Sequence, residues 1–241
     1  MKVDIWSDFV CPFCYIGKRR FEEALEKFPH KDNVETEYKS YELDPSAVKH
    51  PGKNFHELLA NKFGMSVEKA KATNDDIRRQ AAEVGLVYNF DTMQHTNTFD
   101  AHRLAKYAAQ QGKGNIVTEL LLKAYFTDSK HIGEHVTLIA LAEEAGLDAN
   151  EVSAMLQEND YITHVRADEK QARQIGVQGV PFFVFNEKYA VSGAQPPETF
   201  SEVLEKVWQE ESKKPVLQTL TPQDAETTAC TDEGCQIEPD K

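Results

Sequence analysis

This 241-residue chain has little cysteine: four residues, in two close pairs. Cys11 and Cys14 stand in "FVCPFCYIG", and Cys230 and Cys235 in "ACTDEGCQ". Basic runs are also scarce, none being longer than "KRR" at 18–20. With 40 acidic against 27 basic side chains and a net charge of −13, a phosphate-neutralising surface is disfavoured. Anionic membrane surfaces are disfavoured for the same reason. No run of 18 apolar residues exists, so no segment is expected to span a bilayer. The N-terminus, "MKVDIWSDFVCPFC", lacks a charged region followed by an apolar stretch and a small-residue cleavage site. A cytoplasmic protein is therefore expected, the initiating Met favouring this over a mature form whose leader was removed. In a reducing compartment, paired cysteines are more often redox-active or metal-binding than structural.

What is present is enough for a real core, since 40% of residues are hydrophobic. Residues 2–6, "KVDIW", alternate as a strand does. From Pro12 the period becomes helical, with Cys14, Gly17/Lys18, Phe21, Leu25 and Phe28 on one stripe and Pro29 as the stop. Residues 34–43 alternate again as a second strand. Between about 53 and 175 the patterns are helical, bounded by Gly, Asn or Ser, with no repeat period. "PFFVFNEKYAVSG" (181–193) predicts a hairpin, and "PPETFSEVLEKVWQEE" (196–211) a final amphipathic helix. The order βαβ, helical block, ββα predicts an α/β fold. Its parts are residues 1–50 with 176–211, a helical insertion at 51–175, and a C-terminal tail at 212–241 whose composition predicts little structure.

Two cysteines at i and i+3 on a first helical turn share one face and are close enough to bridge. Cys11 sits where backbone N–H groups and the helix dipole stabilise a thiolate, the attacking species in disulfide exchange. Cys14, one turn inward, suits the resolving role. A zinc knuckle would need further ligands nearby; residues 15–29 hold no His or Cys, so no metal is expected. "GVQGVPFFVF" (176–185) places Pro181 directly before a buried strand. A cis Val180–Pro181 bond would present the Val180 backbone as an edge for an extended peptide; a trans proline that merely starts the strand is the alternative.

"SDFVCPFCYIGKRRFEEAL" together with "GVQGVPFFVFNEKYAVSGAQ" resembles the DsbA-like branch of the thioredoxin superfamily, and more narrowly the cytosolic FrnE-type oxidoreductases. The likeness extends over about 1–210. It implies a thioredoxin fold with a large all-helical insertion between its βαβ and ββα halves. It implies Cys11 as nucleophile, Cys14 as resolving thiol and Pro181 as a cis-proline facing them, with Val180, Pro12 and Phe13 as substrate contacts. The same fold carries glutathione-dependent isomerases and transferases that have serine in place of Cys11. Both sulfurs are present here, which favours dithiol–disulfide exchange with protein or peptide substrates. No cofactor is expected beyond the redox pair, with glutathione a candidate reductant or co-substrate.

Other residues carry open readings. Asp8 is either a proton acceptor for Cys14 and a modulator of Cys11, or a solvated loop carboxylate. His102 and Arg103 either border the groove, stabilising a thiolate or an acidic substrate group, or are structural. Trp6, Phe9, Phe13 and Tyr15 offer an apolar platform around Cys11, although Trp6 suits a core equally well. Acidic neighbours in "CTDEGC" make Cys230 and Cys235 poor first nucleophiles. The pair is open to four readings: an auxiliary dithiol coupled to Cys11–Cys14, which likeness to FrnE-type proteins favours, a tail disulfide, a shared four-sulfur zinc site, or an inert pair. Three function classes follow: a disulfide oxidoreductase first, then a glutathione-dependent isomerase or transferase, then a redox-sensing chaperone.

Overall fold

The computed structural model describes residues 1–212; Cys230, Cys235 and the rest of the predicted tail lie outside the described residues. Four strands, β1 (Lys2–Ser7), β2 (Glu35–Ser40), β3 (Phe182–Phe185) and β4 (Tyr189–Ser192), form one sheet in the order β2-β1-β3-β4. β1 pairs parallel with β2, and the α1 helix (Pro12–Lys27) makes the crossover between them. β3 runs antiparallel to β1, with Val3 opposite Phe185 and Ile5 opposite Phe183. The βαβ and ββα units of the sequence thus join through β1, although 141 residues separate Ser40 from Phe182.

Strand alternation sorts the two faces. Val3, Ile5, Phe183 and Phe185 point to one side, where they meet Phe21 and Phe28 near and within α1 and Phe200, Leu204 and Val207 of the last helix, α9 (Pro197–Ser212). Trp6, Phe182 and Val184 point to the other side, against Ala172 and Val177. Lys2 and Asp4 do face away from Val3 and Ile5, but beyond the exposed Lys2 that face is covered rather than solvated. Asp4 is buried, and Trp6 is buried with its indole N–H donating to the Asp168 carbonyl oxygen at 3.0 Å. Trp6 therefore belongs to the core and not to a substrate platform.

Seven helices fill the space between the sheet halves: α2 (Phe55–Phe63), α3 (Val67–Glu83), α4 (Phe99–Gln110), α5 (Gly114–Phe126), α6 (His135–Glu144), α7 (Ala149–Gln157) and α8 (Ile162–Gln174). Their ends follow local chemistry. Asn54 and Glu57 form a reciprocal capping box on α2, and Gly64 stops it in the left-handed region at φ 61°. Ser66 and Asp148 cap α3 and α7. The helical block is sewn to the sheet half by a shared core, in which Phe9, Tyr15 and Ile16 pack with Tyr88, Phe90, Tyr125 and Phe126. A buried ion pair from Lys106 on α4 to Asp168 on α8 adds to it, and Asp168 also accepts the Ser40 amide at 2.8 Å. That bond holds the end of β2 at Ser40, three residues short of the alternating pattern.

Candidate active site

Cys11 is the N-cap residue of α1, in extended geometry (φ −89°, ψ 113°), and Pro12 opens the helix. Pro at this position costs no hydrogen bond, because the first N–H groups of a helix have no internal partner. The Cys14 amide donates to the Cys11 carbonyl at 3.0 Å, closing the turn that carries both sulfurs. Among the described residues neither sulfur is in a disulfide, and both are buried. They differ in surroundings. The Cys11 thiol donates to the Val180 carbonyl oxygen at 3.4 Å, across the sheet end. The Val180–Pro181 peptide bond is cis. Cys14 sits deeper, and its Sγ accepts the Asp8 backbone N–H at 3.5 Å. Burial, and then the adjacent Cys11 thiol, hold the Cys14 thiol well above its ordinary pKa, against weaker opposition from the Ser7 hydroxyl and the Asp8 amide.

Glycine at position 17 makes the approach of α1 to the proline loop feasible. A Cβ there would stand 2.9 Å from the Pro181 ring and 3.4 Å from Ala194. A second clamp comes from the helical block, where the Tyr88 hydroxyl donates to the Pro12 carbonyl oxygen at 2.7 Å. The Cys-x-x-Cys turn is thus held by Pro181 on one side and Tyr88 on the other.

Asp8 is buried, at 1% exposure, which overturns the reading of it as a solvated loop carboxylate. Its carboxylate accepts the Leu43 amide at 2.8 Å and lies 3.3 Å from His102 Nε2. The His102 ring is also buried and packs 4.7 Å from the Phe9 ring. A buried carboxylate–imidazole pair therefore begins at the residue whose backbone N–H meets Cys14 Sγ. Arg103 is not brought to this site. Its guanidinium donates to the carbonyl oxygens of Met155, Leu156 and Glu158 and its Nε to that of Asp160, with Asp100 as its ion pair. It follows His102 directly on α4, and the turn of about 100° per helical residue sends it to the far side, where it caps α7. Phe9 and Tyr15 are core residues, the Tyr15 hydroxyl donating to Glu119. Of the four aromatics expected around Cys11, only Phe13 is exposed.

Phe13 opens onto a groove of about 580 Å³ that reaches Cys11 and Pro12. Its walls are Leu43 and, from α2 and α3, Phe55, Leu58, Leu59, Phe63 and Ile77. Nothing in the cysteine motif announces these residues; their only signal is that α2 carries more apolar side chains than one buried face requires. His95 also lines the groove, with Nδ1 3.1 Å from the Tyr125 hydroxyl, and burial lowers its pKa. Burial raises the pKa of Glu42, despite its contact with Arg166.

A four-stranded sheet with a Cys-x-x-Cys helix N-terminus facing a cis-proline loop, and a helical block between the sheet halves, defines a thioredoxin-like fold of the DsbA type. The chain belongs to the DSBA-like thioredoxin domain family, whose model matches residues 2–205. A solved structure described as a probable DsbA oxidoreductase from Streptomyces coelicolor is 41% identical, with a TM-score of 0.84, over 99% of this chain and all of that one. The uncharacterized protein YwbO of Bacillus subtilis is 29% identical over 88% of this chain and 98% of its own length. The cytosolic disulfide reductase DsbM from Pseudomonas aeruginosa, solved with GSH, shares the fold at 15% identity, with a TM-score of 0.61 over 87% of this chain and all of that one.

Proposed function

We propose that the protein is a cytoplasmic thiol–disulfide oxidoreductase acting on protein or peptide substrates through Cys11 and Cys14. The observation that carries this reading is the asymmetry of the two sulfurs: Cys11 at the helix N-cap against the Val180 carbonyl, Cys14 buried behind it. The Cys11 thiolate attacks one sulfur of a substrate disulfide. The S–S bond breaks, a mixed disulfide forms, and the other substrate sulfur leaves as a thiolate. Cys14 then loses its proton toward the buried Asp8–His102 pair and attacks Cys11 Sγ. The substrate departs with two thiols, and a Cys11–Cys14 disulfide remains. Two molecules of an external thiol of the glutathione class, leaving as their disulfide, supply the two electrons that restore the dithiol; run in reverse, the same steps oxidise a substrate dithiol.

The Val180 backbone and the groove walls hold the substrate chain. Cys230 and Cys235 act as an auxiliary dithiol that exchanges electrons with the first pair. Replacing both with serine is expected to keep exchange with small substrates but alter recycling; unchanged potential, turnover and recycling would reject that role.

The deciding experiment is trapping with Cys14→Ala. Mixed disulfides through Cys11 should accumulate in cells and with model peptides, and their absence rejects the exchange mechanism. Survival of a glutathione-dependent isomerisation in the same variant, without disulfide reduction by the parent, would place the protein with the isomerases instead.

A further inference from the structure

Away from the cysteines, the helical block assembles a second cluster of donor groups. His50, His131 and Glu134 each offer one ligand atom, and the three atoms lie within 4.8 Å of one another. No apolar packing explains them. The two imidazole rings tilt against each other at 4.6 Å, and His50 Nε2 lies 2.8 Å from Glu134 Oε1.

The supports beneath the cluster resemble those of a ligand set. His131 and Glu134 stand at i and i+3 of a turn closed by the Glu134 amide on the His131 carbonyl at 3.1 Å. Gly133, between them, has no room for a side chain, since a Cβ would overlap the Thr96 hydroxyl. His131 Nε2 is 2.9 Å from the Lys49 carbonyl oxygen, so that nitrogen carries the proton; its Nδ1 is buried with no partner among the described residues. A ring oriented by a backbone carbonyl and left with an unshared nitrogen is the usual arrangement of a metal-binding histidine.

We propose that His50, His131 and Glu134 form a site for a divalent transition-metal ion of the zinc class. Two imidazole nitrogens and one carboxylate oxygen suit Zn²⁺ and its borderline neighbours better than Mg²⁺ or Ca²⁺, which prefer all-oxygen sets. Three protein ligands leave a fourth position for water or a further donor. Donor atoms bound at about 2.0–2.2 Å sit closer together than 4.8 Å, and the exposed His50 side chain supplies the closure. His50 lies five residues before α2, whose Phe55, Leu58 and Leu59 line the groove at Cys11. An ion here ties the segment leading into that groove wall to the turn before α6.

The thiols would compete for zinc, so the test uses the full-length chain with all four cysteines changed to serine, checked for its helical circular dichroism. Zn²⁺ titrated into this protein should bind with one equivalent and raise the melting temperature. His50→Ala and Glu134→Gln, both at exposed or half-exposed positions, should each weaken binding at least about tenfold and abolish the melting shift. His131→Ala should do the same. His135→Ala, whose ring pairs with Asp100 instead, should leave binding unchanged. Absence of binding, binding that His50→Ala and Glu134→Gln leave unchanged, or equal loss in His135→Ala would each overturn the proposal.

Discussion

At the scale of single residues, Cys14 keeps its proton well past the pH at which a free thiol loses it, because burial and the neighbouring Cys11 disfavour the anion. The unfolded chain releases that proton near pH 8.5 while the folded, reduced protein retains it. The native state then binds more protons, so stability falls as pH rises above the unfolded value. The dithiol form should therefore lose up to about 1.4 kcal/mol per pH unit above about 8.5, relative to the Cys11–Cys14 disulfide form, which lacks this group. Urea melts of both forms from pH 7 to 10 measure it; parallel curves would reject the assignment. Asp8→Asn addresses the proton's destination. It preserves the shape beside His102 and the Leu43 amide but removes the charge. Decay of the mixed disulfide should slow roughly tenfold or more, with the first attack by Cys11 little changed, as stopped-flow measurement of the two steps would report.

At the scale of elements, two contacts decide how α1 and α7 are seated. Gly17→Ala puts a methyl group 2.9 Å from the Pro181 ring. Overpacking of this kind costs about 1–3 kcal/mol, and it widens the space between α1 and the proline loop. Lower stability in denaturant together with slower substrate capture is expected. Arg103→Ala should separate those two effects. It leaves the carbonyl oxygens at the C-terminal end of α7 without their donors, at a cost of about 2–4 kcal/mol, while exchange per folded molecule stays at the parental rate. The spacing of "DAHRL" places His102 and Arg103 on a helix but not on the same side of it. Neighbouring helical residues diverge by about 100°, and only the packing of α4 tells which of the two faces Asp8.

For the whole molecule, the groove beside Cys11 exists because α2 and α3 fold back over the Cys-x-x-Cys turn. Leu58→Asp introduces a charge into its wall. Affinity for an extended apolar peptide disulfide should fall about tenfold, which corresponds to roughly 1.4 kcal/mol. Turnover of glutathione disulfide, which is too small and polar to need that wall, should hold. Equal losses for both substrates would show that the groove does not select the chain.

The strands and helices were legible because each carries its period in its own residues: two in "KVDIW" and 3.6 after Pro12. The helix ends were legible because Asn54, Ser66 and Gly64 cap locally. The cysteine pair and Pro181 were legible for the same reason, being short motifs that need no knowledge of distant neighbours. Burial was not. Asp8, Trp6 and Tyr15 look alike in sequence whether they meet solvent, substrate or core, and the difference is made by α4, α5 and α8, which arrive from 94 to 162 residues away.

Alternation, caps and the two motifs, all local properties of the chain, thus determined the order of elements and the chemistry on offer. Tertiary packing decided which carboxylate pairs with His102, which helix faces form the groove, and that His50, His131 and Glu134 meet. These are contacts across long stretches of chain, set by how helices share apolar surface, and no local pattern encodes them.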